Sequence, residues 1–577
     1  MVLRPAVRHS MQSNFAKHFR RLTPLPPINN YGGGRVARSK QRTIAIVDKP
    51  RSMLQRTYIA PGTDSHDHDV QSPKKPHRSV TDSHSSCPLP KTTSQLLRAM
   101  LIYKLCQFPW LVHNADLLFQ WSRMLLGDNV TLTLLKWTLF DQFCAGENEQ
   151  HIQPVLTGLQ ASGIGAILDY AVETSVDHSS QHDNDTHSEA ACDHHMESVC
   201  SCIRYLSNFA PVPTHQGFVA LKMTTLVGNP DWLERMSYTI KKIETFCSTL
   251  DTHADGMVSR DEFDREYRLH FSNDHERLPD VFNQLDPDGT VRIDSMMWTK
   301  LLTPRDLARL TANCQTATLK QDLELLDSFF HRLDKIAKEA VQYGVKVLVD
   351  AEQIRFQPAI DHLVFQLQQK YNSTTTATSP VIYNTYQCYL KGAFQNIQKH
   401  LKDSERFSYH FGAKIVRGAY MESERALAER LNYPSPIHDS VDDTHECYNE
   451  SVGYLLQQGV SNSAKNKTTA VEVICATQNE ESIDRVLELM DELGIANTSP
   501  SVRFAQLFGM SDQLTFHLGQ RGYEVYKYIP YGKVFDVVPY LMRRAQENSS
   551  VLGNATRECG VVRDELWRRL MKDGFGH

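Results

Sequence analysis

Eight short apolar runs, rich in β-branched residues, recur along the chain and are mostly separated by stretches with helical spacing. Near-continuous apolar strands that alternate with helices are typical of a parallel sheet covered on both faces. Eight such strands are the number that closes a (β/α)8 TIM-like barrel. The α/β class is therefore predicted, with strands within Ile164–Ala171, Phe218–Met223, Val345–Ala351, Val381–Tyr386, Ala413–Ala419, Val471–Ala476, Val502–Leu507 and Glu524–Tyr528.

Polar residues close several of these runs, as in Asp350–Glu352, Arg417–Gly418 and Thr477–Gln478. Because chemistry in such barrels collects at the carboxyl ends of the strands, the functional site is expected at that rim. Gly163-Ile-Gly165 lacks the third glycine of a GxGxxG motif, so a Rossmann-type dinucleotide site is not expected.

The amino-terminal segments have unusual composition. Residues 1–47 contain nine Lys and Arg, and the first acidic residue is Asp48. This pattern is typical of a mitochondrial transit peptide, and a disordered basic tail is the alternative. Residues 48–94 are rich in Ser, Pro, His and Thr and are predicted to be a disordered linker. The net charge of -5 gives no electrostatic argument for a nucleic-acid partner.

Helical spacing of apolar residues predicts amino-terminal helices over 95–160. These amphipathic helices could pack beside the barrel or touch a membrane, and burial against the barrel is the favoured use. No apolar stretch reaches about 18 residues, so any membrane contact is expected to be peripheral. The barrel itself is assigned to 161–557, and residues 558–577 are assigned to a carboxyl-terminal helix or tail.

Two segments interrupt the barrel pattern. Residues 174–196 are acidic and His-rich and are predicted to be a flexible insert; a metal site is the alternative, but no fixed ligand spacing is visible. The gap between the second and third strand runs is far longer than one crossover helix requires, so a folded insert is predicted over 230–315.

The second insert contains a segment that fits an EF-hand loop. The expected calcium ligands are Asp251, His253, Asp255, Met257 through its carbonyl, Ser259 and Glu262. His253 departs from the pattern, because calcium prefers oxygen to nitrogen. A related segment, 284–295, has Gln284 and Ser295 where the first and last carboxylates belong. We therefore expect an EF-hand pair whose first loop is a possible calcium site and whose second loop is structural.

Six segments, read in order, resemble the proline dehydrogenases of animals, over roughly residues 95–570. They are Val349–Ile360, Tyr383–Lys391, Lys414–Tyr420, Ala476–Glu481, Gly522–Gly532 and Arg543–Glu547. The resemblance implies a mitochondrial flavoenzyme that oxidises L-proline to 1-pyrroline-5-carboxylate with FAD. It also implies ubiquinone as the electron acceptor, at the matrix side of the inner mitochondrial membrane.

The resemblance also assigns roles in the substrate site. Arg543 and Arg544, helped by Lys222, would hold the substrate carboxylate, which suits the bidentate geometry of guanidinium groups. A solvated Arg pair is the alternative. The other expected members are Tyr528 against the proline ring, Tyr540 and Ile415 in the apolar wall, Asp350 orienting Tyr528, and Glu173 as an acidic gate.

For the flavin, the resemblance implies contacts along the later strand ends. The expected residues are Gln387, Lys414, Val416, Arg417, Gly418, Ala419, Tyr420, Thr477, Gln478 and Glu547. Lys414 stands where bacterial relatives carry Arg, and Gln478 where relatives commonly have His. These differences leave the flavin's reduction potential open.

Two other functions remain open at this point. A hydroxyproline dehydrogenase is the alternative within the same class, although relatives that oxidise hydroxyproline have a small residue where Tyr528 stands. A calcium-responsive binding protein on a catalytically silent barrel is the alternative from another class.

Overall fold

Eight parallel strands close into a barrel in the computed structural model, which describes residues 89–171, 189–209, 216–250, 257–259, 261, 292–294, 316–550 and 552–574. Each barrel strand pairs with the next in the chain, and the last pairs with the first, so the predicted (β/α)8 fold is confirmed. The barrel strands are β1 (Gly165–Tyr170), β2 (Phe218–Leu221), β5 (Lys346–Val349), β6 (Ile382–Gln387), β7 (Phe411–Val416), β8 (Val471–Ala476), β9 (Val502–Leu507) and β10 (Val525–Tyr531). The remaining two, β3 (Met257–Ser259) and β4 (Arg292–Asp294), form a separate antiparallel pair.

Helices surround the sheet, so its strands are buried on both faces, which explains why they read as continuous apolar runs. The helices are α1 (Thr93–Cys106), α2 (Pro109–His113), α3 (Ala115–Leu126), α4 (Asp128–Leu135), α5 (Asp141–Phe143), α6 (Glu149–Ala161), α7 (Glu189–Asn208), α8 (Pro230–Leu250), α9 (Thr316–Tyr343), α10 (Gln357–Tyr371), α11 (Ala393–Arg406), α12 (Met421–Leu431), α13 (Val441–Ala464), α14 (Glu480–Glu492), α15 (Asp512–Gln520), α16 (Val538–Ser550) and α17 (Leu552–Gly574). A π-helical turn, Lys136–Phe140, joins α4 to α5, and a 3-10 turn, Met223–Thr225, follows β2.

Alternate strand residues point into the barrel and out towards the helices. The inward set forms its own apolar cluster, and the outward set packs with the helices into a larger one. The inward cluster contains Ile167, Phe218, Ala220, Leu348, Tyr383, Ile474, Ala505 and Tyr526. These side chains fill the middle of the barrel, so polar chemistry is left to its two ends.

The amino-terminal end of the barrel holds a buried ionic cluster. Glu472 accepts hydrogen bonds from Lys346 at 2.8 Å and from Arg503 at 2.5 Å, and Tyr383 also donates to it. All four residues are strand-borne and at most 5% exposed. We call this group the amino-terminal cluster.

Part of the first predicted insert is regular structure. Residues 189–196 form the first two turns of α7, with Cys192, His195 and Met196 buried. The segment is polar overall, but its buried residues recur at helical spacing. The prediction of a flexible insert was therefore wrong for these eight residues. Residues 172–188 lie outside the described parts of the chain.

The second insert also begins later than predicted. Residues 230–250 form α8, which buries Trp232, Leu233 and Met236 in the barrel's outer core. Within the insert the structure describes β3 and β4, where Val258 pairs with Ile293. Asp251, His253, Asp255 and Glu262 lie outside the described residues, and the EF-hand prediction remains a prediction.

Two boundaries at the ends of the barrel domain need correction. Residues 89–94 do not belong to a linker, because Leu89 is buried, Lys91 forms an ion pair with Asp512, and α1 begins at Thr93. Helix α17 runs through the predicted boundary at 557/558 and packs against α1. The contact between α1 and α17 explains why both segments are ordered.

The amino-terminal helices divide into buried and exposed parts. Helix α1 buries Leu96, Ala99 and Ile102, whereas α3 buries none of its residues. We use the term outer apolar face for the large exposed side chains of α2, α3, α4, the π-helical turn and the loop before α16. They are Trp110, Leu117, Trp121, Met124, Leu125, Leu126, Val130, Leu134, Trp137 and Phe535. Among the described helices, none combines the length and hydropathy needed to cross a bilayer.

Candidate active site

Three predicted site residues meet at the carboxyl end of the barrel. Tyr528 donates a hydrogen bond to Asp350 Oδ2 at 2.8 Å, and Lys414 forms an ion pair with the other oxygen of the same carboxylate. The Lys414 ammonium also lies 5.4 Å from the centre of the Tyr528 ring. Asp350 follows β5 directly, and Lys414 and Tyr528 are inward-facing residues within β7 and β10. The orienting role of Asp350 stays a prediction.

Lys222 follows β2 directly and is largely buried. Its ammonium lies 3.8 Å from Asp169 Oδ2, and Asp169 is an inward residue of β1 that is 2% exposed. Burial lowers the pKa of His195 of α7 to about 3, and the charge of Lys222 acts in the same direction. His195 is therefore neutral at physiological pH, and the positive charge at this place belongs to Lys222.

Helix α16 brings the aromatic and cationic residues that were predicted for the substrate. Tyr540 is 3% exposed, and the guanidinium of Arg544 lies 5.0 Å from the centre of its ring. Arg544 is 6% exposed and donates to Glu547 at 2.6 Å. Arg543 lies 5.4 Å from the ring centre of Tyr420, a residue predicted to contact the flavin. Helix α16 thus contacts both the predicted substrate site and the predicted flavin site.

Burial keeps both tyrosines protonated. It raises the pKa of Tyr528 well above its ordinary value, and the carboxylates of Asp169 and Asp350 raise it further. Burial also raises the pKa of Tyr540, although Arg544 acts in the opposite direction. Both phenols are therefore hydrogen-bond donors at any physiological pH.

Gln387, at the end of β6, joins two rim loops. Its amide Nε2 donates to the backbone oxygen of Glu352 at 2.9 Å, and its Oε1 accepts from the backbone N–H of Ala419 at 3.4 Å. Gly418, next to Ala419, has φ +137°, and a Cβ there would lie 1.8 Å from the ring of Tyr389. Only glycine fits this position, so the loop after β7 is tightly constrained.

Arg417 follows β7 directly, and its guanidinium contacts three polar side chains and one aromatic ring. Its guanidinium donates to His445 Nδ1 at 2.9 Å, to Ser482 Oγ at 2.8 Å and to Thr477 Oγ1. It also lies 4.5 Å from the ring centre of Tyr448. The structure therefore brings Arg417 and Thr477 together, and their contact with a cofactor stays a prediction.

The remaining predicted flavin residues border this group. Val416 is the last residue of β7 and lies beside Gln387 in the β6–β7 register. Gln478 Nε2 contacts Met510 Sδ at 3.8 Å, and its Oε1 accepts from Ser511 at 3.4 Å. Gln478 thus lies at the loop after β9.

Several buried polar atoms at the rim have no hydrogen-bond partner among the described residues. They are the phenol oxygens of Tyr389, Tyr448 and Tyr540 and Nε of Arg544. The rim also carries the amide, hydroxyl and cationic donors of Gln387, Thr477 and Lys414, which suit a flavin, because the ring edge and phosphates of a flavin are hydrogen-bond acceptors.

Two predicted site residues are not part of this assembly. Ile415 lies in the outer core between the sheet and the helices, because it alternates with the inward-facing Lys414; it therefore does not line the barrel interior. Glu173 lies outside the described residues, and its gating role stays a prediction.

The sequence reasoning missed Asp169, Glu352 and His445. Asp169 could have been found, since it is a polar residue near the end of a predicted strand, as Asp350 is. Glu352 stands in the same polar run as Asp350. His445 gave no signal, because it lies in a helix far from Arg417 in sequence.

The fold is that of a barrel enzyme whose charged and aromatic residues gather at the carboxyl ends of the strands. The model of the family described as "Proline dehydrogenase" matches residues 155–557. Proline dehydrogenase 1, mitochondrial, from Homo sapiens is 34% identical over 554 residues, covering 84% of this chain and 89% of the human protein. The Caenorhabditis elegans protein of the same name is 32% identical, covering 84% and 87%. This chain belongs to the proline dehydrogenase family.

Two further likenesses are informative. Hydroxyproline dehydrogenase of Rattus norvegicus is 30% identical over 484 residues, covering 83% of this chain and 92% of the rat protein. Proline utilization A from Bdellovibrio bacteriovorus, in a crystal structure of the protein inactivated by N-propargylglycine, aligns with TM-score 0.50 and 15% identity. That alignment covers 79% of this chain and 37% of the other, and at this identity it supports the fold alone.

Proposed function

We propose that this protein is a mitochondrial proline dehydrogenase that uses FAD to oxidise L-proline to 1-pyrroline-5-carboxylate. The observation that carries the proposal is the rim group of half-buried Asp350 and Tyr528 with buried Tyr540 and Arg544, found in a chain of the proline dehydrogenase family. A small amino acid needs its carboxylate neutralised and its ring enclosed, and this group offers both.

Arg544, Arg543 and Lys222 bind the carboxylate of proline in this proposal. Guanidinium groups bind carboxylates bidentately, and burial strengthens the interaction because water does not compete. Tyr528 and Tyr540 enclose the ring, and Asp350 keeps the Tyr528 phenol in one orientation through the 2.8 Å hydrogen bond. The exclusion of water also strengthens these electrostatic interactions and limits side reactions.

The flavin is proposed to be FAD, held by Gln387, Lys414, Val416, Arg417, Gly418, Ala419, Tyr420, Thr477, Gln478 and Glu547. When bound, FAD supplies the acceptor for the hydride that leaves C5 of proline. Lys414 contributes a positive charge at this place, and Asp350 holds that charge in position. Arg417 and Thr477 support each other, so loss of either residue should weaken retention of the cofactor.

Anaerobic addition of proline to the purified holoenzyme tests the activity. The flavin absorbance band should bleach with proline and stay unchanged with alanine, which has the carboxylate and amine but no ring. The calcium-responsive binding protein on a silent barrel predicts no bleaching with either compound. A bound flavin that proline does not bleach would contradict the proposed function.

Hydroxyproline oxidation is the second candidate, because the rat relative carries that name. Tyr528 argues for proline, since its buried phenol occupies space that a ring hydroxyl requires. Kinetics with both substrates should favour proline in wild type, and Tyr528→Ser should move the preference towards hydroxyproline. Tyr528→Phe is the size-matched control. Equal or better turnover of hydroxyproline by wild type would reverse the assignment.

Ubiquinone is proposed as the electron acceptor, with peripheral contact on the matrix side of the inner membrane. The outer apolar face supports this contact, since Trp110 is 70% and Leu125 79% exposed, and tryptophan favours membrane interfaces. Phe535 belongs to the face and lies in the loop between β10 and α16, which both carry substrate-site residues. The face therefore adjoins the active site.

Flotation with liposomes that contain ubiquinone tests this contact. Trp110→Ser combined with Leu125→Ser should reduce the bound fraction and the rate with membrane quinone, but not the rate with a soluble dye. Val341→Ser is the control, because Val341 is 51% exposed on the helix that leads into the amino-terminal end of the barrel. Equal binding of all three proteins would argue against the face. Import of a 1–47 fusion into mitochondria tests the proposed transit peptide.

Calcium binding by Asp251, His253, Asp255, Met257, Ser259 and Glu262 is a separate proposal, supported by the loop pattern and by the short β3–β4 pair. Titration calorimetry with calcium should give heat with wild type and not with Glu262→Gln. Absence of heat with wild type would leave the insert without a calcium function.

A further inference from the structure

Glu352 has a buried carboxylate that the substrate and flavin assignments leave without a role. It is 6% exposed, and it lies two residues after Asp350 in the loop that follows β5. Its Oε1 accepts from the backbone N–H of Thr224 at 3.1 Å, and its Oε2 accepts from the Thr224 hydroxyl at 2.6 Å. A buried carboxylate is costly unless hydrogen bonds compensate it, so this contact is a strong constraint between two rim loops.

The Thr224 contact determines where Lys222 stands. Lys222 is the residue from which the 3-10 turn Met223–Thr225 begins, and the Thr225 hydroxyl donates back to the Lys222 carbonyl at 2.7 Å. The backbone of Thr224 therefore cannot move without moving Lys222. Glu352 thus fixes the Lys222 backbone relative to Asp350, which lies in its own loop.

The backbone of Glu352 faces the flavin half of the rim. Its oxygen accepts from Gln387 Nε2 at 2.9 Å, and its N–H donates to Gln357 Oε1 at 2.9 Å. Gln387 in turn accepts from Ala419 N–H at 3.4 Å. Glu352 therefore contacts the turn after β2 and the end of β6 directly, and the loop after β7 only through Gln387.

We propose that Glu352 is a positioning residue that holds Lys222, Asp350 and Gln387 in one geometry. The inference rests on the proposed proline oxidation, because it gives Glu352 the task of aligning the carboxylate-binding cation with the cofactor side. Displacement of a binding group by about 1 Å can cost roughly 100-fold in rate, so a residue that sets this alignment has a kinetic effect without touching substrate.

The side-chain arm is tested by Thr224→Val, which keeps the shape of threonine and removes the hydroxyl. We expect KM for proline to rise about 5- to 20-fold with kcat within about threefold and with unchanged flavin content, since a hydrogen bond to a charged group is lost on the substrate side only. Thr224→Ser keeps the hydroxyl and should restore KM. Thr239→Val is the matched control: Thr239 is also 6% exposed, but its hydroxyl donates to Arg235 within α8.

Glu352→Ala removes the carboxylate and tests whether the position of its loop, and so the backbone contact with Gln387, depends on that carboxylate; it should lower flavin content as well as raise KM. If Glu352→Ala does not fold, the comparison of Thr224→Val with Thr224→Ser still tests the inference. The inference is overturned if Thr224→Val leaves KM within about twofold of wild type, or if Thr224→Ser is as impaired as Thr224→Val. Failure of wild type to oxidise proline would instead overturn the proposed function, and the two failures are therefore distinguishable.

Discussion

Both ends of the barrel interior hold buried charged residues, but different structural elements supply these residues at each end. In the amino-terminal cluster, Lys346 and Arg503 share the Glu472 carboxylate, and all three residues are strand-borne. At the carboxyl rim the cations come from strand ends, a loop and a helix, and Arg543 and Arg544 lie over aromatic rings. Both arrangements leave a guanidinium nitrogen without a hydrogen-bond partner among the described residues, Arg503 Nε in the first and Arg544 Nε in the second. They therefore differ in the structural elements that supply the charges, and not in the completeness of their hydrogen bonding.

This difference separates stability from function within one fold. Strand register fixes the amino-terminal cluster, because all of its residues lie within barrel strands. The rim also depends on loops and on α16, and loops that a rigid barrel positions commonly carry binding and catalytic residues. Substitutions in the amino-terminal cluster should therefore change stability and leave activity unchanged. Substitutions at the rim should change activity and leave stability unchanged.

Glu472→Ala should have the largest effect, on stability. It leaves Lys346 and Arg503 buried without their carboxylate, and loss of one partner of a buried ion pair costs about 3–5 kcal/mol of unfolding free energy. Urea denaturation measures the loss, while activity per mole of bound flavin should be unchanged. Glu405→Ala is the control: its pair with Lys467 is exposed, so about 1 kcal/mol or less is expected. A comparable loss of stability in Glu472→Ala and Glu405→Ala would contradict a special role of the amino-terminal cluster in stability.

Arg544→Met should have the largest effect on activity. The buried guanidinium is proposed to bind the substrate carboxylate, and truncation of a buried charged partner costs about 3–4 kcal/mol, or roughly 100- to 1000-fold in kcat/KM for proline. The melting temperature should change little, because Glu547 is partly exposed.

Arg568→Met is the matched control for Arg544→Met, since Arg568 also pairs with a glutamate three residues away in a helix. Its steady-state kinetics should equal those of wild type. An Arg544 variant with unchanged kcat/KM would mean that the rim does not hold the carboxylate.

The sequence predicted the barrel because eight buried strands are visible as local apolar runs. It could not predict the amino-terminal cluster, since Lys346, Glu472 and Arg503 are polar residues inside those runs and meet only through pairing of distant strands. The rim was partly predictable, because Asp350, Lys414 and Tyr528 lie in or directly after predicted strands and the motifs of the family include them. Asp169 and Glu352 act through contacts between loops, and α7 was hidden by its polar composition.

Tyr→Phe substitutions at the two ends sharpen the comparison with a smaller change. Tyr528→Phe removes the hydrogen bond to Asp350 and should lower kcat/KM about tenfold, which corresponds to roughly 1–2 kcal/mol. Tyr383→Phe removes the donor to Glu472 and should lower stability by a similar amount. Kinetics and urea denaturation of both variants form one experiment. A kinetic defect in Tyr383→Phe, or a purely structural defect in Tyr528→Phe, would contradict the division between the two ends.

Acid should weaken the amino-terminal cluster through Glu472. Burial opposes ionisation of this carboxyl, but Lys346 and Arg503 outweigh it and hold the pKa below the ordinary value of 4.5. The unfolded chain therefore takes up this proton first, so the contribution of Glu472 to stability is full above pH 4.5 and is lost as pH falls through the lower, folded-state pKa. One such group changes the unfolding free energy by at most about 1.4 kcal/mol per pH unit. Urea titrations of wild type and Glu472→Gln at a series of pH values below 5 should differ by this slope, and parallel curves would show that the cluster does not respond to acid.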